Sequence, residues 1–242
     1  MVEVFFNSSA PTGDSSTRRI EGMYHQSKDV SAPLALVLPS HPQYGGNINN
    51  KVVCSLFDAF TNNGFSVLKI NFRNIGKQAS TFNRGIDELS DAASAMDWLQ
   101  DNNVSTVPFW VAGFSFGAWV AMQLMMRRPE VERFVSIAPP ANQYDFSFLF
   151  PCPVSGLIIQ GDRDNISEEV VVSQLAEKLI TSMNSEYMQY HIIDGADHFF
   201  HDNIGEINKI IDDYVKAWLD NISTVNKNSL VKRARRKTRQ HA

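Results

Sequence analysis

A serine flanked by glycines is the first group in this sequence that could do chemistry. Residues 113–117 read Gly-Phe-Ser-Phe-Gly, which is a G-x-S-x-G pattern. The motif follows the apolar segment 108–112 and precedes a helical segment, 116–128. A sharp turn from strand to helix exposes its serine, and the glycines avoid Cβ clashes there. We therefore predict that Ser115 is a nucleophile and that the Phe116 N–H, at a helix N-terminus, stabilises an oxyanion.

A base and an acid for this serine are available further along the chain. A serine hydroxyl is a weak nucleophile that needs a base, and the base needs an orienting acid. One apolar segment ends in Gly-Asp-Arg-Asp at 161–164, and another ends in Gly-Ala-Asp-His at 195–198. The carboxyl ends of parallel strands meet at one edge of a sheet, so these groups are expected to converge. Position alone leaves several candidates for acid and base: Asp162, Asp164, His191, His198 and His201.

These motifs resemble those of small bacterial α/β-hydrolases near the dienelactone-hydrolase and prolyl-oligopeptidase-like (Xaa-Pro peptidase-like) branch. Such proteins read G-D-x-D for the acid and G-A-x-H-F for the base, and the similarity covers roughly residues 20–222. The resemblance implies that Asp164 is the acid and that His198 is the base. It also implies a structural role for Asp162, such as bonding the backbone of its own loop.

A second oxyanion donor is expected from the loop at 39–46, which reads Pro-Ser-His-Pro-Gln-Tyr-Gly-Gly. This loop resembles an HP-containing variant of the H-G-x-G-G loop of the same family. The resemblance implies the backbone N–H of Gln43, or failing that Tyr44, as the donor, because Pro42 has no N–H. His41 is then expected to brace the loop.

The elements that must position these residues alternate between strand and helix. Four apolar segments without polar alternation are typical of buried parallel strands: 34–38, 109–112, 134–138 and 157–159. Segments of helical period lie between them, which predicts an α/β-hydrolase fold with a mostly parallel, doubly wound sheet and helices on both faces. Residues 2–6 and 19–25 are predicted to form an antiparallel edge pair.

Connecting segments add smaller expectations. Asn50 and Ser167 are predicted helix caps, and the last helix is expected at about 204–222. Residues 7–18 read as a surface loop, and residues 71–76 resemble a family turn.

The connection at 139–152 is too short for a cap domain, so a minimal lid is expected. Its aromatic residues could fill the top of the core. Alternatively, Tyr144 or Phe146 could line a shallow acyl pocket.

Charge divides the chain into a predicted hydrolase domain, 1–224, and a tail, 225–242, that is expected to be disordered. Seven of the 22 basic residues lie after Asn226, with no acidic residue among them. Such a tail could bind RNA, DNA or anionic lipid through charge alone. A second hypothesis is therefore a non-catalytic protein of this fold that binds an anionic partner.

Other classes of function find no support in the sequence. There is no P-loop, no dinucleotide G-x-G-x-x-G and no HExxH, so neither a cofactor nor a metal is expected. There is no long apolar segment or signal peptide, which predicts a cytoplasmic protein without a membrane span. Cys54 and Cys152 are expected to be buried thiols. Nothing indicates an oligomeric state. The sequence thus predicts a hydrolase that cleaves a small ester, thioester or peptide-like acyl bond through an acyl-serine.

Overall fold

The structure is a computed structural model that describes residues 1–8, 18–72, 85–104, 106–183 and 187–239. Most of the predicted surface loop at 7–18 lies outside these ranges. The family-like turn at 71–76 is described only at Asn71 and Phe72.

One eight-stranded sheet organises the described residues, in the order β1-β2-β4-β3-β5-β6-β7-β8. Its strands are β1 (Val2–Ser8), β2 (Arg18–His25), β3 (Leu34–Leu38), β4 (Ser66–Ile70), β5 (Phe109–Phe114), β6 (Val131–Ile137), β7 (Gly156–Gly161) and β8 (Gln189–Ile193). Strands β1 and β2 form the predicted antiparallel pair, and β2 is also antiparallel to β4. All pairings from β4 to β8 are parallel. This arrangement confirms the predicted fold class, a mostly parallel α/β-hydrolase sheet.

Helices cover both faces of the sheet, as the continuous apolar strands require. They are α1 (Lys51–Asn62), α2 (Ile86–Asp101), α3 (Phe116–Met125), α4 (Glu169–Met183) and α5 (Ile204–Arg239). Buried residues of α2, α3 and α4 belong to one hydrophobic cluster. Those of α1 and α5 belong to a second cluster. The sheet therefore separates two cores, and its carboxyl edge is left to the loops.

An aromatic cluster around Trp110 holds α1 and α5 on the sheet. The Trp110 ring lies 4.9 Å from Trp218, 5.6 Å from Phe65 and 5.8 Å from Phe60, in edge-on contacts. Edge-on aromatic pairs contribute roughly 0.5–1.5 kcal/mol each beyond the area that they bury. The cluster therefore fixes the base of β5, the strand that leads to Ser115.

The predicted helix caps had different outcomes. Asn50 caps α1, because its side-chain oxygen accepts from the N–H groups of Val52 and Val53 at 2.9 and 3.4 Å. Ser167 does not cap α4, which begins at Glu169. Its hydroxyl donates instead to the carbonyl of Ala138, at 3.1 Å. Ala138 lies in the loop that follows β6. The sequence shows that Ser167 is of a type that often caps helices. It does not show that the Ala138 carbonyl, 29 residues earlier, is a competing acceptor.

The chain after residue 222 differs from its prediction. Helix α5 continues to Arg239, beyond the expected end near 222 and through most of the tail that was expected to be disordered. The segment has no Pro, and its last Gly is Gly205, while Lys, Arg, Ala and Leu are good helix formers. Binding of an anionic partner by this segment stays a prediction.

None of the helices in the described ranges is both long and apolar enough to cross a membrane. Cys54 and Cys152 are half-buried and free, less enclosed than expected.

The contact between Gly156 and Phe134 provides a test of the packing. A Cβ on Gly156 would lie 2.5 Å from the Phe134 ring, which is buried between the sheet and its helices. We expect Gly156→Ala to lower the free energy of unfolding by about 1–3 kcal/mol through overpacking. Urea denaturation measures this loss.

Two further variants check the cause. Phe134→Leu should relieve part of the clash, so the double variant should be less destabilised than the two single losses added together. Gly205→Ala, where a Cβ would meet nothing within 4 Å, should cost no stability. Simple additivity of the Gly156 and Phe134 losses would contradict the packing shown here.

Candidate active site

Ser115 occupies a strained elbow between β5 and α3. Its φ and ψ are 54° and −120°, a region that residues other than Gly rarely adopt. The Ser115 N–H donates to the Ile137 carbonyl at 2.8 Å, which ties the elbow to β6. A Cβ on Gly117 would collide with the Pro39 carbonyl, and one on Gly113 would collide with Gly117 itself. Both flanking positions therefore require glycine, because neighbouring backbone atoms leave no room for a Cβ, as the sequence predicted.

His198 and Asp164 complete a hydrogen-bonded chain from the serine. The Ser115 Oγ lies 3.0 Å from Nε2 of His198, and Nδ1 of His198 lies 2.8 Å from Oδ2 of Asp164. The side chains of His198 and Asp164 are only 6% and 0% exposed. The loops after β5, β7 and β8 thus bring together the three residues that the sequence singled out.

The Asp164 carboxylate is held by donors on both oxygens. Oδ1 accepts from the N–H groups of Ile166 and Ser167 at 2.8 and 2.7 Å. Oδ2 accepts from the Gln160 amide at 3.0 Å as well as facing His198. A buried carboxylate without such partners would be costly, so these donors make burial of the acid possible.

The alternative acid has a structural position. Asp162 Oδ1 accepts from the Gly195 N–H at 2.7 Å. The sequence suggested that Asp162 bonds its own loop, but it bonds the histidine loop instead. A Cβ on Gly161 would collide with the Ala196 carbonyl, so these two loops touch at backbone level. The sequence could not show this because the loops are far apart along the chain.

The alternative bases are engaged elsewhere. Nδ1 of His201 lies 2.9 Å from Asp197 on the surface, and Nε2 of His191 lies 3.2 Å from the Gln189 side chain. Of the three histidines, His198 is the one that contacts Ser115.

In the loop after β3, the two backbone N–H groups that were expected to face an oxyanion form hydrogen bonds within the loop. The Gln43 N–H donates to Nδ1 of His41 at 3.2 Å, and the Tyr44 N–H donates to the His41 carbonyl at 3.0 Å. His41 therefore braces a short 3₁₀ turn, Pro42–Tyr44, as expected of it. In this geometry the Gln43 N–H already has an acceptor in His41, which the motif does not reveal, and its role as an oxyanion donor stays a prediction.

A cavity of about 390 Å³ opens onto Ser115. It is lined by Ser40, His41, Tyr44, Ser115, Phe116, Pro140, Gln143, Tyr144, Ile166, His198 and Phe199. Among the lining residues that the structure describes, none is Lys, Arg, Asp or Glu. The cavity is thus an uncharged, largely aromatic and apolar pocket beside the serine.

The short connection between β6 and β7 divides its aromatic residues between core and cavity. Tyr144 lines the cavity and packs 5.5 Å from the Phe116 ring. Phe146 is buried in the core and stacks on Phe148 at 6.1 Å. Both expected roles therefore occur, one for each residue. Sequence reasoning missed Ile166 and Phe199 as lining residues, although each is adjacent or nearly so to a predicted site residue.

This arrangement can activate a serine hydroxyl. A neutral His198 can take the Ser115 proton through Nε2 while Asp164 holds the Nδ1–H and offsets the developing positive charge. The N-terminus of α3 lies next to Ser115 and favours negative charge there. The fold and the site together define an α/β serine hydrolase.

Comparisons with known proteins agree with this class. Residues 55–235 match the family described as "PETase: PET hydrolase-like", and the chain belongs to this family. It is 46% identical over 218 residues to an uncharacterised protein of Rickettsia prowazekii, with 89% of each chain covered.

Solved structures show the same relationship. A candidate α/β hydrolase of unknown function from Agrobacterium tumefaciens has a TM-score of 0.80 at 47% identity, covering 91% of this chain and 97% of the other. A protein of Xanthomonas campestris, described as an α/β serine hydrolase without lid, has a TM-score of 0.70 at 28% identity, covering 89% and 94%.

The two aspartates of the acid loop can be separated by substitution. Asp164→Asn should lower kcat by roughly 10³ to 10⁴, because His198 loses the charge that orients and stabilises it. Asp162→Asn should change kcat little, since an amide oxygen can still accept from Gly195. Steady-state ester hydrolysis by the two folded variants measures both effects. The reverse ranking would exchange the roles of Asp162 and Asp164.

His41 provides a test of pH dependence. Burial lowers the pKa of His41 below its ordinary value of 6.5 in the folded protein. Its stabilising contribution is therefore complete above pH 6.5 and is lost as the pH falls through the folded pKa, because only the unfolded state readily gains the proton. Protonation would also remove the acceptor for the Gln43 N–H. Between pH 7.5 and 5.5, His41→Asn should lose less unfolding free energy than the wild type, by at most about 1.4 kcal/mol per pH unit. Equal losses in urea denaturation would contradict this role.

Proposed function

We propose that the protein is a serine hydrolase that cleaves small, uncharged acyl substrates through an acyl-serine intermediate. The observation that carries this proposal is the buried chain from Ser115 through His198 to Asp164, with contacts of 3.0 and 2.8 Å. The acyl bond is an ester, a thioester or a peptide-like bond, and an ester is the form tested below.

Acylation begins when Oγ of Ser115 attacks the substrate carbonyl carbon. The Ser115 proton passes to Nε2 of His198, and the carbonyl electrons move to the oxygen. When the tetrahedral intermediate collapses, His198 gives this proton to the leaving group. A water molecule, deprotonated by His198, then attacks the acyl-serine carbonyl carbon. His198 returns this proton to Oγ of Ser115 as the acyl–oxygen bond breaks and the acid product leaves.

The Phe116 N–H, at the start of α3, is one proposed donor to the oxyanion. Gln43 stays the proposed second donor, although its N–H bonds to His41. Giving up that bond, 3.2 Å long, costs about 1 kcal/mol. An oxyanion-hole bond contributes roughly 3–4 kcal/mol in the transition state. The exchange is therefore favourable for Gln43. Tyr44 is a weaker candidate because its N–H closes the 3₁₀ turn itself.

The cavity indicates what kind of acyl group is accepted. Its walls offer aromatic and apolar surface from Tyr44, Tyr144, Ile166 and Phe199, and none of the lining residues within the described ranges is Lys, Arg, Asp or Glu. A carboxylate on the substrate would lose water there without gaining a charged partner. The family's description as PET hydrolase-like and the Xanthomonas relative described as without lid support an open hydrolytic site of this kind.

A matched series of p-nitrophenyl esters tests the proposal. We expect the wild type to hydrolyse the butyrate and benzoate esters with kcat/KM at least about tenfold above that for the hemisuccinate, whose extra carboxylate is penalised. Ser115→Ala should lower kcat by about 10⁵ or more with the fold retained.

Controls separate the nucleophile from general loss of structure. Ser40→Ala, which changes another cavity serine, should retain measurable turnover. Hydrolysis by Ser115→Ala at the wild-type rate would exclude Ser115 as nucleophile. A preference for the hemisuccinate would contradict the assignment of an uncharged substrate.

A further inference from the structure

A fully buried glutamine lies behind the acid. Gln160 is on β7, four residues before Asp164, and has no exposed surface. We propose that Gln160 is a positioning residue that sets the orientation and charge of Asp164, and through it the basicity of His198. This inference rests on the proposed function, because it concerns the same hydrogen-bonded chain.

The Gln160 amide nitrogen faces three acceptors. Nε2 lies 3.0 Å from Oδ2 of Asp164, 2.8 Å from the Ser167 carbonyl and 3.2 Å from the Gly161 carbonyl. With the amide reversed, its oxygen would face three other oxygens, so the surroundings determine its orientation. The amide thus ties both ends of the acid loop, 161–167, to the carboxylate.

The contact with Oδ2 gives Gln160 a role beyond shaping the loop. The same Asp164 oxygen faces Nδ1 of His198 at 2.8 Å. A second donor on this oxygen withdraws part of the negative charge that His198 would otherwise face alone. It also prevents the carboxylate from rotating away from the imidazole. Gln160 should therefore affect both the geometry and the basicity of the catalytic base.

The other half of the amide supports this interpretation. Oε1 of Gln160 is buried and has no hydrogen-bond partner among the described residues. A buried acceptor without a partner costs roughly 1–3 kcal/mol. An aliphatic side chain would avoid that cost at this position, and the neighbouring β7 residues Leu157, Ile158 and Ile159 are aliphatic. Exceptions of this kind are expected where function, rather than stability, determines the residue.

Two substitutions test the proposal. Gln160→Met keeps the length of the side chain but removes the donor. We expect kcat per titrated active site to fall about tenfold with little change in KM. The acidic limb of kcat/KM should move to higher pH, because Asp164 then stabilises the imidazolium more strongly. Gln160→Glu places a carboxyl at a fully buried position beside Asp164, where burial and the neighbouring charge favour its protonated form. The protonated carboxyl can still donate to Oδ2, so this variant should move the limb less than Gln160→Met.

Ser55→Ala is the control for a purely structural role. The Ser55 hydroxyl donates to Asn208 between α1 and α5, so the variant also loses one partly buried hydrogen bond, on the opposite face of the sheet. It should lose stability without moving the acidic limb. If Gln160→Met behaves in the same way, with kcat per site and limb position unchanged, the proposal is overturned.

A measurement without turnover keeps this test separate from the proposed function. The titration of the His198 imidazole can be followed by NMR in Ser115→Ala and in the double variant with Gln160→Met. A higher midpoint in the double variant supports the positioning role, even if the wild type fails to cleave every ester tried. An unchanged midpoint contradicts that role, even if the wild type is an active hydrolase.

Discussion

The hydrogen bond between Nδ1 of His198 and Oδ2 of Asp164, 2.8 Å long and buried, is the interaction on which the site depends. Such a bond keeps its carboxylate charged only if the remaining oxygen positions also have donors. The loop 161–167 provides two backbone donors for this purpose, and Gln160 adds its amide. The backbone of the acid loop is therefore arranged so that its N–H groups point at the Asp164 carboxylate. His198 obtains a fixed orientation toward Ser115 as the result, and this couples folding of the loop to the proposed chemistry at the serine.

The parallel sheet places the loops that follow β5, β7 and β8 side by side at one edge. Strands β5, β6, β7 and β8 are consecutive neighbours in parallel, so their carboxyl ends lie side by side. Close backbone approach then replaces side-chain packing at two positions. Gly117 lies against the Pro39 carbonyl, and Gly161 lies against the Ala196 carbonyl. A larger residue at either position would separate two of the loops that contribute to the site. Since these contacts join segments far apart in sequence, the site is a property of the sheet topology rather than of any single motif.

Much of the fold and the central residues of the site could be predicted from the sequence. The unbroken apolar strands predicted a parallel sheet, and the G-x-S-x-G motif between strand and helix singled out Ser115. The family resemblance then chose Asp164 and His198 among the candidates at strand ends. Features that depend on contacts between distant segments could not be predicted. Capping of the 3₁₀ turn by His41 occupies the Gln43 N–H, and the Ala138 carbonyl takes the Ser167 hydroxyl. Local periodicity likewise does not distinguish a cavity residue such as Tyr144 from a core residue such as Phe146. It also gives no sign that Gln160, inside an apolar strand, faces the acid.

The most direct test of the central claim is the reaction of the protein with a fluorophosphonate, followed by mass spectrometry of the peptides. The phosphonyl group mimics the tetrahedral intermediate and reacts with a serine that a base and an oxyanion hole have activated. An activated Ser115 should form one adduct per chain, at a rate that falls sharply in His198→Ala. A folded wild type that forms no adduct, or one labelled at another serine, would contradict it.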